Sequence, residues 1–194
     1  MAGNQFNNPG VDVLTFPIQI EAPGIYRFQW RNRITEGTST TDANDSWLRI
    51  NADAFYAQRN QNSVVCPKGY DPTTNDCPTD LDADGNTTPN GSGSNGWFKV
   101  YRSGQGDWIW STRTSDNDGH DIFARFDEPG IYTVEIAGRS RDHAIDRWVL
   151  YEADFEGDPL DISQPESPLI TLEALFSDGF ESRLARQSSR AHAD

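Results

Sequence analysis

Three aspartates stand at alternate positions in a polar stretch of the chain, and Gly85 and Asn86 follow the last of them. Carboxylates at this spacing can converge on one hard cation, glycine lets the chain turn sharply, and the next backbone carbonyl can point inward. The pattern predicts a calcium site with the ligands Asp80, Asp82, Asp84 and Asn86. The alternative is a solvated, aspartate-rich turn, because half-motifs of this kind recur in acidic loops by chance.

The same stretch resembles the first half of an EF-hand, dockerin or thrombospondin type 3 loop, and the preceding Asp-Cys-Pro adds to the thrombospondin likeness. It departs from these loops at position 9, which is Thr88, and at position 12, which is Gly91, so the closing bidentate acid is missing. The remaining oxygens would have to come from Asp71, Asp76 or a backbone carbonyl elsewhere.

Six tryptophans are many for a chain of 194 residues, and they fall into two groups. Trp30 and Trp148 share the parity of apolar neighbours, so they are predicted to lie in a core. The others are predicted on the outer face of a sheet or in loops, and they are Trp47, Trp97, Trp108 and Trp110. Exposed rings bind sugars, because the apolar face of a pyranose stacks on the ring while nearby polar groups bind its hydroxyls. The alternative for each ring is burial under a long loop, since tryptophan is mostly buried on average.

Catalytic motifs are absent from the sequence: there is no G-x-S-x-G, H-E-x-x-H, P-loop or G-x-G-x-x-G. The three histidines are His120, His143 and His192, and the first two are predicted at strand ends. Each is more often a hydrogen-bonded turn residue than a metal ligand. Paired acids for glycoside hydrolysis depend on a geometry that a sequence does not display. We therefore predict no catalytic residues and no enzymatic activity.

The elements that must position these residues are strands. Apolar and polar residues alternate with period two in several segments, which indicates strands with one wet face, and Pro-Gly and Asp-Gly pairs bound them as turns. The segments include "YRFQWR", "WLRI", "WFKVY", "IFARF", "YTVEIA" and "RWVLYE". The segment "VDVLTFPIQI" is predicted to be a strand at an edge or a bend, because Pro17 interrupts it. About eight strands and no long helix predict an all-β fold, an antiparallel β-sandwich.

The domain organisation follows from where this alternation stops. Residues 1–10 are predicted to be a flexible N-terminus, 11–152 the sandwich, and 153–194 an acidic linker and tail. Inside the sandwich, residues 58–95 are rich in Asn, Asp, Thr, Gly, Ser and Pro and are predicted to be an irregular insertion. The phrase Pro-Gly-Ile-Tyr occurs twice, ending at Tyr26 and Tyr132, and predicts two strands begun by similar turns.

The charge and the cysteine content restrict the possible partners and the cellular compartment. A formal net charge of −14 and a pI of about 4.4 disfavour nucleic acid and anionic membranes, and no stretch is apolar enough to insert in a membrane. The only cysteines, Cys66 and Cys77, lie in one polar segment, so a disulfide is favoured over two free thiols. A disulfide favours an extracellular or cell-surface protein whose signal peptide has been removed, over a cytosolic one.

The strands and turns together resemble the galactose-binding-like β-sandwiches, among them carbohydrate-binding modules of families 6 and 35 and malectin-like domains. The likeness is carried by "GIYRFQWRNR", "NDSWLRI", "GWFKVYR", "DWIWST", "PGIYTVEIAGRS" and "HAIDRWVLYE", from Val11 to Glu152 apart from the insertion. It implies a jelly-roll, a structural calcium and glycan binding through loops at one end of the sandwich. Carried over by position, the implied ligand-binding residues are Trp108, Trp110, Asn117, Asp118, His120, Arg139, Asp142 and His143.

Two functions are therefore expected. The first is a secreted, non-catalytic carbohydrate-binding module that is stabilised by calcium and binds a poly- or oligosaccharide. The second is a structural or adhesive subunit of an extracellular assembly, in which the C-terminal segment "LITLEALFSDGFES" pairs with the edge strand of a neighbouring copy or partner protein. A calcium-dependent hydrolase is the least favoured reading.

Overall fold

Two antiparallel sheets make up the fold. The computed structural model describes residues 4–37, 42–60, 63–67, 96–102, 107–114, 119–168 and 170. Within these ranges there is no helix, and the strands in chain order are β1 Leu14–Ile20, β2 Gly24–Ile34, β3 Asp45–Asn51, β4 Ala54–Asn60, β5 Ser63–Val65, β6 Phe98–Tyr101, β7 Ile109–Trp110, β8 Arg113–Thr114, β9 Asp121–Phe126, β10 Gly130–Gly138 and β11 His143–Glu152. The predicted all-β fold is confirmed.

The strands are divided between the sheets in an interleaved order. The first sheet has the order β1-β10-β3-β6-β8, and the second has the order β11-β2-β9-β4-β5. The short strand β7 pairs with Arg31 and Asn32 near the C-terminal end of β2. All described pairings are antiparallel. As its proline predicts, β1 is an edge strand, because Pro17 has no N–H to donate to a second neighbour.

The core lies between the two sheets and is built from the alternating stripes. Phe28 and Trp30 point inward from β2, Leu48 and Ile50 from β3, and Trp148 packs against them from β11. Phe28 and Trp30 meet edge to face with ring centroids 5.8 Å apart, and Phe28 stacks on Trp148 at 5.9 Å. The prediction that Trp30 belongs to the core is confirmed, and Trp148 is partly buried and packs against that core. Burying such aromatic side chains is the main favourable term of folding, at about 25 cal/mol for each Å² of apolar surface.

The ends of several strands meet at one end of the sandwich. There β2 finishes beside the start of β11, with Ile34 opposite His143. In the first sheet Gly138 of β10 lies opposite Ser46, and Tyr101 of β6 lies opposite Asp45. We call this the loop end, because β2, β6 and β10 finish there and β3 and β11 begin there. Five of the implied ligand-binding residues lie at or beside this end: Trp108, Trp110, Arg139, Asp142 and His143.

Candidate functional site

The inward stripes change from apolar to polar at the loop end. Along β2 the stripe Phe28, Trp30 continues as Asn32, and along β6 the stripe Phe98, Val100 continues as Arg102. On β3 and β11 the corresponding positions are Ser46 and His143, and all of these polar residues are buried. We call the set Trp30, Asn32, Ser46, Arg102 and His143 the polar pole. Buried polar groups are costly unless they are hydrogen-bonded, so their partners decide what the pole can do.

His143 is held in the pole as a neutral imidazole. Its Nδ1 lies 2.8 Å from Ser46 Oγ, and its ring meets the Trp30 ring edge to face with centroids 5.7 Å apart. The pKa of His143 is lowered to about 4: burial is the largest cause, Asp45 opposes it, and Arg102 adds to it. A neutral histidine can donate or accept at its second nitrogen, and no described residue forms a hydrogen bond with that Nε2 atom.

Arg102 is the charged member of the polar pole, and its side chain is fully buried. Its Nη1 donates to the backbone carbonyls of Asn32 at 3.1 Å and of Asp107 at 3.4 Å. Burial lowers the pKa of Arg102, but an arginine pKa lies so far above neutrality that the guanidinium stays charged. Among the described residues, neither Nε nor Nη2 of Arg102 has a hydrogen-bond partner.

A patch of arginine and tryptophan lies on the outer face of the second sheet beside the pole. Trp110 is directly opposite Arg31 in the β2–β7 pair, so the two side chains share that face. The guanidinium carbons of Arg31 and Arg33 lie 5.6 and 5.2 Å from the centroid of Trp108. Both tryptophans are half-buried. We call Arg31, Arg33, Trp108 and Trp110 the arginine–tryptophan patch.

Hydrogen bonds to two aspartates hold the arginine–tryptophan patch in place. Arg31 donates from Nε and Nη2 to Asp146 on β11, at 3.1 and 2.7 Å. The carboxylate of Asp107 accepts the backbone N–H of Trp108 at 2.8 Å, while the Asp107 carbonyl accepts from Arg102. Asp107 therefore links the surface patch to the buried polar pole.

A second buried cluster lies on the outer face of the first sheet. Asp45 accepts hydrogen bonds from Arg139 and from Ser140, and its carboxylate lies 3.4 Å from Lys99 Nζ. Arg139 also lies over the rings of Trp47 and Phe6, at 5.2 and 4.9 Å. Arg139 is thus occupied inside the protein, so we do not retain it as a ligand contact.

The N-terminal residues cover this face. Trp47 Nε1 donates to the carbonyl of Gln5 at 3.0 Å, and Val13 packs against the cluster of Trp47, Trp97 and Ala137. The two rings are 1% and 2% exposed, although Trp47 lies on the face opposite Leu48 as expected from the alternation. For these two tryptophans the alternative of burial is the correct one, and they offer no stacking surface.

The remaining predicted ligand contacts are placed as follows. His120 is buried, with Nε2 2.8 Å from Ser63 Oγ, so an external ligand does not reach it. Asp142 lies in the β10–β11 turn with a φ of 74°, and its carbonyl accepts the Thr35 N–H at 2.9 Å. Asn117 and Asp118 lie outside the described residues. Of the predicted contacts, Trp108 and Trp110 lie at the surface and His143 lies in the buried pole.

Arg102 and Asn32 belong to the site but were not predicted. A signal for them exists in the sequence: both continue an apolar stripe with the correct parity, at positions where an apolar residue would extend the core. A polar residue in such a stripe indicates a buried polar group that needs a partner.

The predicted calcium ligands Asp80, Asp82, Asp84 and Asn86 lie outside the described residues. Among the residues that are described, no group of three or more His, Cys, Asp or Glu side chains could hold a metal ion. Cys66 is disulfide-bonded, and the only other cysteine, Cys77, lies outside the described residues. No helix in the described ranges is long and apolar enough to cross a membrane.

No protein-family model, curated protein or solved structure matches this chain. The function is therefore inferred from the loop end itself, where a surface patch and a buried polar pole are joined through Asp107.

Proposed function

We propose that this protein is a secreted, non-catalytic carbohydrate-binding module, and that the arginine–tryptophan patch is its binding surface. The observation that carries the proposal is the position of Trp108, a half-buried indole on an outer sheet face beside Arg31 and Arg33. Such a ring offers an apolar surface to a pyranose, while guanidinium N–H groups beside it donate to hydroxyls. Its place directly before β7, which pairs with β2, pre-organises the ring, and this lowers the entropic cost of binding.

The strand order supports the galactose-binding-like part of the proposal. With β7, β8 and the edge strand β11 left aside, the remaining eight strands form two sheets of four, β1-β10-β3-β6 and β2-β9-β4-β5. This interleaving of early and late strands is typical of a jelly-roll. The disulfide at Cys66 supports an extracellular location, because disulfides persist in oxidising compartments.

The proposal is tested by the binding of the purified protein to plant, algal and bacterial polysaccharides in affinity gels and on glycan arrays. Trp108→Ala should weaken binding about tenfold, which corresponds to about 1.4 kcal/mol, the energy typical of one aromatic contact. The matched control is Phe155→Ala, which removes a ring that is 53% exposed and follows β11 at the opposite end of the sandwich. A loss in both variants would indicate unspecific adhesion of exposed rings, and a clean negative for every glycan would refute the proposal.

The alternative function, a structural or adhesive subunit, remains a prediction from the sequence, and the segment that would pair with a neighbour lies mostly outside the described residues. Light scattering over a range of protein concentrations separates the two functions. A strict monomer that binds a glycan supports the module, whereas concentration-dependent growth without glycan binding supports the assembly subunit.

A further inference from the structure

Each sheet ends in an edge strand on the same side of the sandwich. β1 is the last strand of the first sheet, β11 is the last strand of the second, and no described strand pairs with the free side of either. The Phe16 ring of β1 meets the Trp148 ring of β11 edge to face at 5.6 Å, so the two edges face each other across the core. The free side of β11, a strand of ten residues, presents backbone N–H and C=O groups that another strand can pair with.

The core is incompletely covered between these two edges. Leu14 lies in the same inward stripe of β1 as Phe16 and Ile18, yet it is 61% exposed. At the opposite pair of edges, Val65 of β5 and Thr114 of β8 are fully buried. We call the exposed and half-buried apolar residues between β1 and β11 the open seam, and they are Leu14, Phe16, Ile18, Ile145, Trp148 and Leu150.

An extended segment with apolar residues at every second position would fit the open seam. Its backbone would pair with the free side of β11, and its inward side chains would cover Phe16, Trp148 and Leu150. Burial of these side chains is favourable, because their apolar surface leaves water.

The C-terminal segment of the chain has this pattern. Residues 170–176 read "ITLEALF", so Ile170, Leu172, Ala174 and Phe176 stand at alternate positions, and two of the three residues between them are polar. Extended, these residues span about 23 Å at about 3.3 Å for each residue, which is long enough to follow β11 from Trp148 to its end.

The course of the described chain favours a segment from a second copy. After β11 ends at Glu152, the chain returns to Arg147, whose Nη1 donates to the carbonyls of Ile162 at 2.9 Å and Gln164 at 3.3 Å. The chain thus leads back toward the loop end and away from the stretch of β11 between Trp148 and Glu152. Its own C-terminal segment begins past the stretch to be covered, whereas that of another copy can approach from outside.

We propose that the open seam of one copy accepts residues 170–176 of a second copy as an added strand beside β11. Because one copy contributes the segment and the other the seam, the contact either is exchanged reciprocally in a dimer or repeats along a chain of copies. The open seam shares no residue with the arginine–tryptophan patch, so this inference does not depend on the proposed saccharide function.

The first experiment measures self-association of the full chain by analytical ultracentrifugation over a wide range of protein concentrations. The mass should grow with concentration. Leu172→Glu places a charge in the apolar stripe and should weaken self-association about tenfold or more. Leu175→Glu is the matched control, because it makes the same change on the opposite face of the added strand and should leave self-association unchanged.

The second experiment locates the contact with a synthetic peptide of residues 169–182. Added to the full chain, the peptide should shift the indole N–H NMR signal of Trp148, assigned by its loss in Trp148→Phe. The signal of Trp47, which is buried under the N-terminal residues, should not move. The same peptide carrying Leu172→Glu should leave both signals unchanged.

The outcomes decide between the open seam and the other acceptors of the segment. A full chain that stays monomeric, with a peptide that leaves Trp148 unchanged, overturns the proposal. If Leu172→Glu moves the Trp148 signal of a strict monomer, the segment covers the seam of its own chain, which overturns the second copy. A peptide that shifts Trp108 instead of Trp148 overturns the seam in favour of the arginine–tryptophan patch, and equal losses in Leu172→Glu and Leu175→Glu overturn the apolar stripe.

Discussion

The burial of His143 makes the stability of the protein depend on pH. In the unfolded chain this histidine has an ordinary pKa near 6.5, whereas in the folded protein burial lowers it to about 4. Between these values the unfolded chain binds a proton that the folded protein does not bind. The stability contributed by a neutral His143 is therefore complete above about pH 6.5 and is lost as the pH falls toward about 4.

We expect His143→Asn to remove this part of the acid sensitivity, because the asparagine amide takes the place of Nδ1 beside Ser46 but does not titrate. The lowered pKa of His143 predicts that the free energy of unfolding of the wild type falls by about 2 kcal/mol between about pH 7.5 and pH 5. Urea unfolding of both proteins at the two pH values measures the difference, and the carboxylates, which are common to both, cancel. Equal pH dependence of the free energy of unfolding in the two proteins would show that His143 is not a buried neutral group.

The exposure of a tryptophan side chain is not determined by its parity in a strand. The parity of Trp47 relative to Leu48 correctly gives its face of the sheet, but parity does not reveal that Gln5 and Val13 cover that face. Burial by a distant segment is a tertiary property that no local pattern contains. For the same reason Trp108 and Trp47, which have similar local sequences, differ in exposure.

At the scale of elements, the repeated Pro-Gly-Ile-Tyr phrase has a structural cause. In both copies the tyrosine hydroxyl donates to a carbonyl four residues earlier, from Tyr26 to Ala22 at 2.9 Å and from Tyr132 to Glu128 at 2.8 Å. Both rings also contact Phe126, with centroids 5.5 and 4.5 Å away. The two turns are therefore fixed to each other across the core, and the prediction that the repeat begins two strands is confirmed.

Strand length decides how much of the sheet order is visible in the sequence. The long strands β2, β10 and β11 are correctly placed by period two, since several residues alternate in each. The short strands β5, β7 and β8 have three residues or two, which is too few to show a period. One of these, β7, carries Trp110 and follows Trp108, so the attachment of the patch to β2 was not predictable.

The N-terminal segment is an element whose contribution to stability is measurable. Because Trp47 is buried under this segment and bonded to Gln5, Trp47→Ala should cost about 3–5 kcal/mol of the free energy of unfolding. Trp108→Ala, the same substitution at a half-buried ring on the patch, should cost clearly less. Urea unfolding measures both. Equal losses would contradict the assignment of Trp47 to a buried cluster and Trp108 to a surface.

At the scale of the whole molecule, charge is distributed unevenly. The net charge is −14, yet β2 places Arg27, Arg31 and Arg33 on one outer face, and Arg147 of β11 lies beside them. Several of these arginines are paired, Arg27 with Asp121 and Arg31 with Asp146. The net charge therefore repels any polyanion that approaches the protein, and salt weakens this long-range repulsion.

The net charge of −14 also affects how a predicted calcium site must be tested. Any cation screens the mutual repulsion of an acidic protein, so a specific site must be distinguished from screening. The predicted ligands Asp80, Asp82, Asp84 and Asn86 supply three carboxylates and an amide or carbonyl oxygen, a set that suits Ca²⁺. We expect about 5–10 °C of thermal stabilisation when calcium is present at about 100 times its Kd.

Asp82→Ala should abolish this stabilisation by removing the middle carboxylate of the motif, while Asp154→Ala, at an exposed position after β11, should retain it. The measurement is the melting temperature in calcium, in magnesium and in sodium chloride of matched ionic strength. Magnesium binds such a loop poorly, since it demands a smaller and nearly octahedral shell. An equal rise with all three salts would assign the effect to screening of the −14 charge, and an unchanged melting temperature in calcium would remove the site altogether.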